Sequence, residues 1–446
     1  MAFDSVFDII GPIIVGPSSS HTAGAARIGL AVYERLGKIT GDVDVYLYNS
    51  FAKTHKGHGT DKAVAAGLLG FEIDDMRIKD ALALAKEEGL NINFLLMEDA
   101  TFQPNTVKIC IGPDFELTGI SIGGGVIQIM DKHGRCSECL LCHRRCYVNP
   151  TTTSKPGLFN TVEELLKICK EKNLKISELM IQQEIELDRY TPAEIIEQMK
   201  ENLEVMEESI AIGIKGIASI TGITGFDAQK MHDYIQKNDS IMGDSFAKAI
   251  CYALATGEVN AAMGRVCVTP TAGASGVLPG VLFSLKERLD LSEEACLEFL
   301  FTAGAFGYIV ANNAFIAGAK GGCQAEIGTA SAMAAAGAVA VKGGNLKQIA
   351  DAFSIALKNM LGLVCDPVAG LVEVPCILRN ASGATNALTA AELALAGVKS
   401  AIPADEVISA MKEIGITMPE SLRETAGGGL AITKTAKEIE KNLGFY

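Results

Sequence analysis

Phe299 to Ala319, FLFTAGAFGYIVANNAFIAGA, is the longest stretch of the chain without a charged residue. It reaches the roughly 20 residues needed to span a bilayer, so its reading decides the fold. Asn312 and Asn313 sit inside it among Gly and Ala. Polar amides there argue for a buried core helix rather than a membrane span.

The sequence around it agrees. From Leu158 onward the pattern is helical almost throughout. Thr161 to Lys172, Pro192 to Ile212, Ser245 to Ala255 and Leu346 to Leu361 carry apolar residues at helical spacing, with glycine-rich turns between them. The first 130 residues read differently. Asp42 to Tyr48 alternates as a strand does, and Thr60 to Leu69 predicts a helix after a Gly-rich turn. Asn91 to Met97, Thr106 to Ile111 and Leu117 to Met130 predict further strands, the last broken by Gly123-Gly124-Gly125. The expected architecture is multidomain: an N-terminal α/β domain over residues 1–130, a Cys-rich insert or linker over 131–157, and an all-α domain over 158–446.

Composition narrows the function classes. The chain has 446 residues, 48% hydrophobic and 21% charged, which suits a folded protein of two or three domains. A formal charge of −14 argues against nucleic acid and anionic membranes as partners. It leaves small zwitterionic or anionic substrates open. Met1 to Ile14 has no basic region followed by a long apolar run, so no signal peptide is expected. Twelve cysteines in such a chain read as thiols or metal ligands in a reducing cytoplasm.

Four segments carry residue types suited to chemistry. Cys323, Cys365 and Cys376 each lie beside or close to Gly or Pro, where backbone leaves regular helix and can present a thiolate. Three thiolates on a four-iron cluster would leave one iron open as a Lewis acid; the alternative is three inert buried thiols. Cys136, Cys139, Cys142 and Cys146 have the spacing of a ferredoxin run, with Tyr147 in place of the usual Pro, and would hold an iron–sulfur cluster or zinc. Ser18, Ser19, Ser20, His21 and Thr22, between Gly16 and Gly24, would form a carboxylate-binding nest at a helix start, or an ordinary serine-rich cap. Thr54 to Asp61 places His55, Lys56 and His58 among glycines, where a histidine suits proton abstraction or the loop is merely a solvated turn. Thr269 to Gly276, with Thr271 and Gly273, and Thr425 to Gly429 would line a small-molecule pocket or form tight turns.

Together these segments resemble the iron–sulfur L-serine dehydratases of bacteria, over nearly the whole chain. Gly16 to Gly24 and Lys56 to Asp61 are similar to motifs of that family's β part. Thr269 to Gly276, Ala311-Asn312-Asn313, Gly321 to Glu326, Cys365-Asp366-Pro367 and Cys376 are similar to motifs of its α part. The resemblance implies an allosteric-substrate-binding-like fold for the N-terminal domain and a helical catalytic domain. It implies elimination of water from L-serine to pyruvate and ammonia, without pyridoxal phosphate. It makes Cys323, Cys365 and Cys376 the ligands of a [4Fe–4S] cluster and His58 the base, with His21 second. Ser18, Ser19, Ser20, Thr22, Lys56, Thr271, Gly273 and Asn312 would bind substrate, in a homo-oligomer. Some single-chain relatives end in a Cys, whereas this sequence ends Gly444-Phe445-Tyr446, and no ACT domain is recognisable. Rival readings are a lyase for L-cysteine or L-threonine, a pyridoxal-phosphate lyase, and an electron carrier built on the four-cysteine run.

Overall fold

The computed structural model describes residues 3–130, 157–237 and 240–444. The four-cysteine run, and with it the expected second metal centre, lies outside the described residues.

The N-terminal region is α/β. Its strands are β1 (Ile13–Val15), β2 (Gly41–Tyr48), β3 (Leu90–Met97), β4 (Thr106–Ile111), β5 (Phe115–Gly123) and β6 (Val126–Met130). A mixed five-stranded sheet runs β3-β2-β4-β5-β6. The β2–β3 pair is parallel and the other pairs are antiparallel. Alternation decides which face is covered. Val43, Val45 and Leu47 of β2 point into a core shared with Ile28, Val32, Val64 and Leu68 of two helices. Asp42 and Asp44 point outward and accept hydrogen bonds from Asn91 and Asn93 of β3, at 3.1 and 3.0 Å. Gly124 and Gly125, at φ 60° and 74°, make the tight β5–β6 turn.

Those two helices, Gly24–Leu36 and Thr60–Leu68, cross where neither has a side chain. A Cβ on Gly67 would lie 2.0 Å from the Ala26 carbonyl oxygen, and one on Gly29 would lie 2.5 Å from that of Val64. The close crossing draws the two helix starts together, and with them the turns that carry His21 and His58. Gly67→Ala should therefore destabilise the protein by about 1–3 kcal/mol, because backbone rather than a flexible side chain must move. A lowered urea midpoint checks this.

The C-terminal region is mostly helical. The expected core helix over Phe299 to Ala319 is displaced at both ends and runs Glu293–Asn313. It starts earlier because Ser292 caps it, its Oγ accepting from the Ala295 amide. It stops at Asn313, where both asparagine side chains donate to carbonyls four residues back, Tyr308 at 3.1 Å and Ile309 at 2.8 Å. Such local bonds compete with helix continuation. Residues 314–318 then leave the helix to line a cavity. Among the described residues this is the one helix long and apolar enough to cross a membrane, and most of it is buried within the fold. The helix expected over Ser245 to Ala255 is also longer, Asp244–Ala261.

The leading segment belongs to both regions. Val6, Phe7, Ile9 and Ile10 sit in the core of the helical region. Gly304 and Gly307 leave the apolar helix bare where Val6 and Ile9 pack; a Cβ there would lie 2.3 and 2.4 Å from those side chains. Glu184 accepts from the Ser5 hydroxyl at 2.7 Å and the Val6 amide at 2.6 Å. Strand β1 then pairs antiparallel with β7 (Arg265–Cys267) of the helical region.

Candidate active site

A cavity of about 330 Å³ lies between the two regions. Ser18, Ser19, Ser20 and His58 line it from the α/β side, with Ile122, Gly124 and Val126 of the β5–β6 hairpin. Thr271, Gly273, Asn312, Cys323, Glu326, Cys365, Cys376 and Glu424 line it from the helical side.

On the α/β side the serine turn is built around its own hydrogen bonds. Ser18 Oγ accepts from the His21 amide at 3.1 Å, and residues Ser19–Ala23 form a π turn at the start of the helix. Such turns are frequent at functional sites. Thr22 Oγ1 donates to the His58 carbonyl at 2.8 Å, tying the two loops together. The two imidazoles stand 4.5 Å apart, centroid to centroid, and differ in what they touch. His21 has both nitrogens engaged, Nδ1 with Ser20 Oγ and Nε2 with Ser50 Oγ, each at 2.9 Å. His58 Nδ1 is buried with no partner among the described residues. Burial pushes the His58 pKa down to about 4, opposed by a hydrogen bond to the Gly370 backbone. Burial and then the neighbouring His58 hold His21 well below the usual histidine range. Both rings are neutral at pH 7.

On the helical side three separate segments deliver the cysteines. Cys323 stands just before the π turn Gln324–Gly328, Cys365 sits in an isolated parallel bridge with Arg423, and Cys376 opens the helix Cys376–Leu395. The sulfurs of Cys323 and Cys365 and a Glu326 oxygen all lie within 4.8 Å of one another. Thr271 Oγ1 donates to Glu326 at 2.7 Å. Asn380 Nδ2 donates to the Gly273 carbonyl at 2.8 Å and the Cys376 carbonyl at 2.9 Å, which sets the Thr271–Gly273 loop against the third cysteine.

This group is crowded with acids. The hydrogen bond with Cys323, then burial, raises the Cys365 thiol well above its usual range. Burial, then Cys323, does the same for Cys376. Burial also raises the carboxyls of Glu326 and Glu424. Among the described residues, Arg379 is the one side-chain cation hydrogen-bonded to the group. Buried thiols and carboxyls gathered in this way suit a multivalent cation, which binds them in their deprotonated forms. Space for one is kept by Gly318, whose Cβ would stand 2.4 Å from Glu326 Oε2 and 3.2 Å from Cys365 Sγ. The residues present fit a metal centre bound by thiolates.

The structure gathers Ser18, Ser19, Ser20, His58, Thr271, Gly273, Asn312 and the three cysteines around one cavity. His21 and Thr22 stand behind the lining. Lys56 lies outside it and pairs with Asp61 at 2.8 Å. The Asn312 amide is already used, accepting from the Phe3 amide at 2.8 Å and donating to the Phe3 carbonyl at 3.0 Å. Sequence reasoning missed Glu326, Glu424 and Arg379 as site residues. Glu326 was visible three positions after Cys323; Glu424 borders the glycine-rich Thr425–Gly429 segment. Nothing local marked Arg379.

Comparison with known proteins matches this division. A family model described as serine dehydratase beta chain matches residues 5–107, and one described as serine dehydratase alpha chain matches residues 171–431. The L-serine dehydratase TdcG of Escherichia coli (strain K12) is 36% identical, covering 96% of this chain and 98% of that protein. The L-serine dehydratase of Streptomyces coelicolor is 34% identical, covering 96% and 98%. The probable L-serine dehydratase alpha chain of Bacillus subtilis (strain 168) is 57% identical, covering 64% of this chain and 95% of that protein. These matches define an enzyme of the lyase class, a dehydratase. The chain belongs to the serine dehydratase family and carries the beta and alpha parts fused in that order.

Proposed function

We propose that the chain is an L-serine dehydratase producing pyruvate and ammonia, and that Cys323, Cys365 and Cys376 hold a [4Fe–4S] cluster with one open iron. The observation that carries this reading is one cavity lined by Cys323, Cys365 and Cys376 together with the serine turn and His58. When bound, the cluster supplies Lewis acidity toward the departing hydroxyl.

The chain's own groups do the rest. The hydroxyls of Ser18, Ser19, Ser20 and Thr271 hold the carboxylate and ammonium of the substrate, and the helix start behind the serine turn favours the carboxylate. His58 takes the α-proton; the ring is neutral at pH 7 and so can accept it. His21, fixed by Ser20 and Ser50, positions the serine turn against His58. Loss of the proton and of the hydroxyl gives water and 2-aminoacrylate. That enamine tautomerises to an imine, and a second water converts it to pyruvate and ammonia. No step calls for pyridoxal phosphate. The α/β region serves as an allosteric-substrate-binding-like domain, and the enzyme works as a cytoplasmic homo-oligomer on a small molecule. On its spacing alone, the run Cys136, Cys139, Cys142 and Cys146 holds a second metal, iron–sulfur or zinc.

Anaerobic purification with iron and sulfide quantitation tests the reading. About four of each per cluster are expected. L-Serine turnover should be lost in air and restored by iron, sulfide and reductant. Full activity of metal-free, air-treated protein would overturn it.

A further inference from the structure

We infer that Arg379 is the residue that holds the three cysteine-bearing segments in register for the metal centre. The inference rests on the proposal that Cys323, Cys365 and Cys376 are the ligands, and extends it to a residue outside that set.

The three thiols come from three separate segments, so something must fix them relative to one another. Arg379 sits one turn beyond Cys376 on the same helix, a spacing that puts both on one face. Its Nη1 donates to Cys323 Sγ at 3.5 Å and to the Val364 carbonyl at 2.8 Å. Its Nη2 donates to Asp366 Oδ1 at 2.9 Å. Val364 and Asp366 flank Cys365. One side chain, anchored on the Cys376 segment, therefore grips the Cys323 sulfur and both neighbours of Cys365.

The grip is itself braced. Asp366 is buried, and its second oxygen accepts from the Leu430 amide at 2.8 Å. Gly429, at φ +58°, lies so close that a Cβ would stand 2.3 Å from Asp366 Oδ2. The carboxylate is thus held toward the guanidinium by a segment that neither carries a cysteine nor touches the thiols through these bonds. A guanidinium suits the task because its rigid fork serves several acceptors in fixed directions, whereas an ammonium is a single point. A donor on a ligand sulfur also tunes an iron–sulfur centre, since such hydrogen bonds set its reduction potential.

The test uses the full chain with Cys139→Ser and Cys142→Ser, so that the second cysteine run adds no iron. Arg379→Met, Arg379→Lys and Asp366→Asn are reconstituted anaerobically beside this parent. Iron release to a chelator and the cluster's reduction potential are measured, with thermal melts of the metal-free proteins to report folding. Arg379→Met should release iron about 10-fold faster or more and show a shifted potential. Arg379→Lys should lie closer to the Met variant than to the parent, and Asp366→Asn between them. Release and potential equal to the parent's in Arg379→Met would overturn the inference. Should that variant fail to fold, parental values in Arg379→Lys would overturn it equally. A parent that takes up no iron and sulfide would instead remove the cluster reading itself.

Discussion

Replacing any one of Cys323, Cys365 or Cys376 by Ser should abolish both the cluster and turnover. A serine hydroxyl keeps its proton at neutral pH and is a poor substitute for a thiolate. Losing the Lewis acid removes several kcal/mol of transition-state stabilisation, so turnover should fall by on the order of 10³-fold or more. The same substitution at Cys169, Cys251, Cys267 or Cys296 makes the control. These thiols are buried but lie outside the cavity lining. Each should cost at most on the order of 1–3 kcal/mol in stability and leave the cluster absorbance intact. Equal loss of activity in both groups would show that the ligands are misassigned.

His58→Ala should lower kcat by about 10²–10⁴-fold while iron and sulfide content stay at wild-type levels. His55, whose Nδ1 is engaged with the Ala52 carbonyl at 2.8 Å, should matter far less. An active His58→Ala with an inactive His21→Ala would transfer the role to His21. The pH profile gives an independent reading. A free histidine would place the acid limb of kcat/KM near 6.5; burial places that of His58 near 4. The folded-state value lies below the unfolded one, so the corresponding stability is complete above pH 6.5 and is lost as pH falls toward 4. A limb at 6.5 that disappears in His58→Ala would show that the ring is not desolvated as described.

What could be read from the sequence followed from how local each signal was. Strands β2, β3 and β4 were legible because one face of each is covered and the other is not, which writes alternation into the chain. The helix Glu293–Asn313 was found but misplaced, because absence of charge was the guide. Its first turn carries Glu293 and Glu294, and its end is set by asparagine side chains rather than by a Gly or Pro. The serine turn and the cysteines stood out because hydroxyls and thiols sit at Gly- and Pro-bounded breaks in the regular pattern. Arg379 and Glu424 were not, since an arginine on an ordinary helix gains meaning only from what the fold places opposite it. The β1–β7 pair was equally hidden. Each partner is three residues long, and their registry depends on a contact across most of the chain.

That contact has a consequence for synthesis. Val15 pairs with Arg265, 250 positions later, and Phe3 meets Asn312 later still. A ribosome adding about 5–20 residues per second needs roughly 10–50 s to reach the partner strand. The sheet, complete by Met130, can form during that interval. During that interval Val6, Phe7, Ile9 and Ile10 stay without the helical core that later buries them. A segment made some 250 residues before its partner strand is thus among the last to be sheltered, and until then it offers a chaperone at the exit tunnel an apolar handhold.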